Sequence, residues 1–276
     1  MVLEILVGPK KAERHPLEIL LISMIYTIIA IFIAHFLFPQ EVSILSIAFI
    51  TIMFIPLFQS MFILEEKEEE TYVEKSGKVP FTEHSKLLNV YLFFFIGIIL
   101  STTLVYTFFS ANKILSKDNV FSLQVRTIES IRNHATGNYI NASMFKSIFV
   151  NNTKILLLIF VLSMLSGAAS IFIIAWNASV IGVFSSLEIE KLLETHGIIY
   201  SYVVGLTSSL LSISLHGIPE IAAYFLASFA GGIISVSIIR EKHKTKEMGK
   251  IVMDSIEVLF IAEVLIFFAA MIESLY

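Results

Sequence analysis

Residues 17–64 read LEILLISMIYTIIAIFIAHFLF, then PQE, then VSILSIAFITIMFIPLFQSMFIL: two apolar runs parted only by Pro39-Gln40-Glu41. A helix rises about 1.5 Å per residue, so about twenty apolar residues are what ~30 Å of hydrocarbon demands. Surface helices of soluble domains instead alternate an apolar stripe with a polar face. A three-residue link makes the two runs antiparallel neighbours. The fold class that follows is all-α: a polytopic membrane helix bundle.

The same grammar repeats along the chain. Apolar runs at 17–38, 42–64, 87–110, 154–176, 198–215, 218–239 and 251–275 predict seven transmembrane helices. Composition agrees, with 56% hydrophobic and 15% charged residues, against about 25% charged in a soluble domain. Cysteine is absent, which excludes disulfides, thiolate ligands and thiol nucleophiles. A net charge of −4 without a long basic run gives nucleic acid no footing. Residues 1–14 lack the early bases and small-residue cleavage site of a signal peptide, so the first span is expected to be retained.

The segments between spans divide the chain. Residues 1–86 read as an N-terminal hairpin plus a charged linker, in which EEKEEE at 65–70 is a solvated helix end and Ser76-Gly-Lys-Val-Pro80 a break. Residues 87–276 carry the remaining five spans, with a long loop at 111–153. In that loop Phe121, Val125 and Ile128 share one helical face, with Arg126, Glu129 and Arg132 on the other. Tyr139, Ile140, Met144, Phe145, Ile148 and Phe149 repeat the pattern after Gly137-Asn138. Both patterns fit amphipathic helices, lying either in the membrane interface or against the protein's own outer face. Residues 177–184 are too short to cross and contain Asn177 and Gly182, which predicts a re-entrant or interfacial segment after the fourth span. Ser185 and Glu188 have the spacing of a capping box, predicting a short surface helix stopped at Gly197. His216-Gly217-Ile218-Pro219 reads as the turn between the fifth and sixth spans, with Pro219 in a first helical turn.

Lys and Arg in the loops set orientation. With the N-terminus inside, thirteen bases fall on the cytoplasmic side and six on the other. The expectation is a multi-pass cell-membrane protein with a cytoplasmic N-terminus and an extracytoplasmic C-terminus. An outward loop would leave the sequon at Asn141 usable, while the one at Asn177 lies at membrane depth.

From about residue 87 onward the chain resembles the stage II sporulation protein M family. The matching residues are Phe149-Val150-Asn151-Asn152 before a span, Gly167 within it, Asn177 with Gly182, His216-Gly217-Ile218-Pro219-Glu220, and Ala230-Gly231-Gly232. The His-Gly-x-Pro-Glu element is the most specific. Family members usually carry Asn-Gly where this chain has Asn177-Ala178. The resemblance implies a five-span core and a membrane scaffold that holds enzymes through its outer loop. Residues 1–86 lie outside it.

Six polar residues are candidates for function. His216 and Glu220 share a helix face if the helix reaches back to 216; two ligands without a His-Glu-x-x-His pattern make no metal site. The plainer reading puts Glu220 in a first helical turn, where the dipole favours an anion. Glu263 sits mid-span, where a carboxylate must be paired, protonated or facing water. Asp254 and Glu257 precede it as an acidic line from the cytoplasm, and Asn177 marks the interrupted segment. Ala223, Ala227, Gly231 and Ser235 recur every fourth position, and with Gly167 they form a small-residue packing ridge, within one chain or between two copies.

The leading functional expectation is a non-enzymatic scaffold anchoring unidentified protein partners through the outer loop. The other is a permease or exporter component with Glu263 in the substrate path, since broken helices often line such paths. A polar cavity would favour transport, and a solid small-residue core would favour scaffolding. No P-loop, dinucleotide fingerprint or nucleophile elbow occurs, so no cofactor or catalytic residue is expected.

Overall fold

The computed structural model describes residues 8–76, 81–112, 120–135, 142–239 and 246–275, and the regular structure among them is helical. The helices are α1 (Pro9–Arg14), α2 (Pro16–Leu37), α3 (Val42–Ser76), α4 (Phe81–Asn112), α5 (Ser122–Ala135), α6 (Ala142–Ser166), α7 (Ile171–Leu193), α8 (Ile198–Ile239) and α9 (Lys246–Glu273). Seven of them, all but α1 and α5, are long and apolar enough to cross a membrane. The chain is a polytopic helical bundle.

The seven arise by a different division than the apolar runs suggest. The run that starts at Lys154 breaks not at Asn177 but at Gly167, whose φ of 62° lies in the left-handed region. The small residues Ser166–Ser170 make the turn there, and glycine adopts such a φ without steric cost. Residues 177–184 are therefore not re-entrant. They lie inside α7, where the Asn177 side-chain amide donates to the Ile173 carbonyl at 2.8 Å and so stays within the helix. Ser185 starts no surface helix either: it is buried mid-helix and accepts a 2.8 Å hydrogen bond from Ser209 of α8.

The second correction concerns residues 198–239. They form one helix of 42 residues, with His216 and Gly217 helical and Pro219 inside it. Straight, it would measure about 63 Å, twice the ~30 Å hydrocarbon core. Proline removes the N–H that residue 215 would have accepted, but packed neighbours make such an interruption tolerable in a membrane helix.

Aromatic rings of three helices fill one core. Phe58 of α3 lies 4.5 Å from Tyr91 of α4 (centroid to centroid), and Tyr91 stacks on Phe225 of α8 at 5.2 Å. At the α2–α3 turn, α5 packs on the protein itself, the second of the two readings. Phe121 meets Tyr106 at 5.4 Å, Ser43 donates to the Val120 carbonyl at 2.9 Å, and Gln124 donates to Ser179 at 3.3 Å. Its Arg126 and Glu129 stay exposed. The second amphipathic stretch is the start of α6, where Phe145 and Phe149 pack on Phe267 of α9 at 5.4 and 5.9 Å. Residues 77–80, Gly137-Asn138, Asn141 and the basic residues 240–245 lie outside the described residues.

The redivision moves one charge. Tyr202, near the start of α8, donates to Thr107 near the end of α4 at 2.7 Å, so the α7–α8 turn shares a side with α5. Lys191 changes sides, so the count of loop bases read from the sequence becomes twelve against seven.

Candidate functional site

The bundle is sealed at one depth and hollow at another. The seal is the small-residue ridge of α8, and it packs within the chain. Ala223 and Ala227 are fully buried. A Cβ added at Gly231 would collide with the Phe160 carbonyl oxygen and lie 2.8 Å from Ser163 Cβ, and one at Gly232 would collide with the Phe62 ring. Such closeness is what small residues permit where no hydrophobic effect drives helices together. Hydroxyls fill the remaining space: Ser228 Oγ bonds Tyr91 Oη at 2.7 Å and Ser170 Oγ at 2.5 Å, while Ser163 donates to the Ser228 carbonyl at 2.6 Å. Gly167 and Ser235 meet here, 3.8 Å apart from the virtual glycine Cβ to Ser235 Oγ.

Toward α5 the helices part around a cavity of about 1520 Å³. Its polar lining comes from α6 (Asn151, Asn152), α7 (Asn177), α8 (His216, Glu220) and α9 (Glu273), with Arg126 of α5 as the one Lys or Arg among the described lining residues. Residues as far apart in sequence as Arg126 and Glu273 thus meet. His216 and Glu220 do share a helix face, because α8 runs unbroken through 216. Tyr224, one turn on, donates to Glu220 Oε1 at 2.8 Å. Glu273 is near enough to act electrostatically on both Glu220 and His216. The first-turn reading of Glu220 fails: it lies about six turns into α8, beyond the reach of the N-terminal dipole.

Glu263, Asp254 and Glu257 do not line the cavity. Thr153 donates to Glu263 Oε1 at 2.6 Å, which supplies the partner a mid-span carboxylate requires. Asp254 and Glu257 are exposed, on the outer side of α9. They do not form a line with Glu263, because α9 turns them away from α6 and α8. Among the described residues no group of three His, Asp or Glu side chains is placed to hold a metal.

Two lining residues escaped the sequence reading. Glu273 read as the end of a span, and no periodicity links it to residue 220. Trp176, the only tryptophan, borders the cavity beside Asn177; an isolated amphipathic ring next to an intramembrane amide was a usable signal.

A helical bundle with a tight small-residue seal and a polar cavity of motif residues above it defines a class of multi-pass membrane protein. The family model Stage II sporulation protein M matches residues 90–276, and the chain belongs to that family. The match begins within α4, so α1 to α3 lie outside it. No curated protein and no solved structure matches the chain.

Proposed function

We propose that this protein is a non-enzymatic, ligand-binding component of a membrane transport process. The observation that carries this is the cavity: amides, a histidine and two carboxylates from α6 to α9 gathered around one space, next to the tight Ser-Gly-Ala packing of α6 and α8. Ionisable groups inside a membrane are costly and are retained where they face a pathway or a ligand. Twelve bases against seven support the α1 side as cytoplasmic, so the cavity opens outward. The absence of cysteine allows a direct test. Asn177→Cys in inside-out and right-side-out vesicles should be reached by an impermeant thiol reagent from the outer face at rest and from both faces during turnover. Labelling from one face under every condition would sink the transport reading.

A second reading, the scaffold, draws on α5. That helix is pinned by Ser43 and Gln124 while Glu129 stays exposed on it, a platform for protein partners. Affinity purification in mild detergent tests it. Partners that co-purify with the native chain but not with a Glu129→Arg variant support it; an unchanged set of partners removes it. A homodimer would show in the same preparation as a doubled mass by light scattering.

A further inference from the structure

We propose that the cavity takes the head group of a membrane amphiphile carrying a cationic amine beside an anionic group, an aminophospholipid being the simplest case; this rests on the cavity being a ligand site. Charge is the first argument. Glu220 and Glu273 supply two carboxylates from α8 and α9, and Arg126 supplies a guanidinium from α5. A ligand of single charge would leave one of these sets unanswered, whereas a head group bearing both signs answers each. Phe172, Trp176 and Phe184 line the same space, and aromatic faces attract an ammonium as well as hydrocarbon.

The rim is the second argument. Ile44 of α3 and Leu158 of α6 border the cavity and are 39% and 50% exposed. In an embedded bundle, exposed isoleucine and leucine face acyl chains. A cavity so rimmed is open to lipid at its side as well as toward the outer face. Size agrees, since sites for small soluble ligands run about 300–1,000 Å³ and this one holds about 1520 Å³, enough for a head group with the upper part of its chains.

Trp176 makes the proposal measurable, because its fluorescence reports from the cavity wall without interference from another tryptophan. The full chain is reconstituted in vesicles of phosphatidylcholine containing brominated-chain phosphatidylethanolamine or brominated-chain phosphatidylglycerol. Bromine quenches indole only at contact. The expected result is stronger, saturable quenching by the ethanolamine lipid, with the preference lost in Glu220→Gln and in Glu273→Gln and quenching by both lipids weakened in Arg126→Gln, while thermal melting confirms that each variant is folded. Equal quenching by both lipids in the native chain, or a preference that survives both carboxylate variants, would overturn the proposal. Aqueous arms separate it from the reading beneath it. If soluble phosphoethanolamine protects Trp176 from acrylamide while the brominated lipids show no preference, the cavity remains a ligand site and the lipid source is wrong. If acrylamide cannot reach Trp176 at all and no lipid is preferred, the ligand-site reading falls as well.

Discussion

Thr153 of α6 donates a 2.6 Å hydrogen bond to Oε1 of Glu263 on α9, joining two helices across 110 residues of chain. Interhelical hydrogen bonds in membranes average about 0.6 kcal/mol, with a maximum near ~1.7. Removing the donor should cost toward the upper value, since the carboxyl then lacks its partner in hydrocarbon. Thr153→Val should therefore lower the melting temperature in detergent, whereas Glu263→Gln, which still accepts from Thr153, should leave it nearly unchanged. Identical melting of Thr153→Val and the native chain would show the bond to be idle.

Gly231 is the tightest point of the α6–α8 contact, its virtual Cβ colliding with the Phe160 carbonyl oxygen. A backbone oxygen cannot swing aside as a side-chain end can, so the helices must separate. Overpacking typically costs about 1–3 kcal/mol. Gly231→Leu should destabilise strongly and Gly231→Ala measurably, both far beyond the volume-conserving Ile234→Leu. Thermal melting of the three variants checks this, and equal stabilities would mean that the ridge tolerates separation.

These contacts show how much the sequence disclosed. The spans were legible because hydrocarbon imposes their length, and the Ala223–Ser235 ridge because its fourfold spacing stays on one face of any helix. Their ends were less so, since the punctuation learned from soluble proteins loses force in lipid. Asn177 looked like a break, yet its amide bonds back to Ile173. Pro219 looked like a helix start, yet α8 runs on past it, and the true break at Gly167 was visible only as a glycine among small residues. Of the cavity, Asn177, His216 and Glu220 were singled out as polar candidates, Asn177 at membrane depth and the other two at the turn between the fifth and sixth spans. Their meeting with Glu273 and Trp176 depends on helix pairing, which no local pattern encodes.

The α7–α8 turn offers a test of this redivision. A break at 216 would place residues 194–197 on the side of α1, whereas the unbroken α8 places them on the side of α5. An impermeant thiol reagent added to intact cells should therefore label His196→Cys and Glu129→Cys alike, and His15→Cys only after permeabilisation. Labelling of His196→Cys together with His15→Cys would restore the turn at 216 and dismantle the cavity.

Pro219 links the shape of α8 to the cavity, standing in the chain between His216 and Glu220, which line it. An interior proline costs about 3 kcal/mol relative to alanine in a water-exposed helix, and less in a membrane, where neighbours satisfy the freed carbonyl. If proline is kept only because it is tolerated, Pro219→Ala should regain the bond to Leu215 and change nothing else. If it holds α8 away from α7 so that the cavity exists, the variant should melt at the same or a higher temperature while Trp176 becomes less accessible to acrylamide. That pattern, stability gained and access lost, is the trade expected of a residue retained for function. The result expected here is the second. A Pro219→Ala chain that melts lower, with Trp176 quenched as before, would assign the proline to packing and separate it from the cavity.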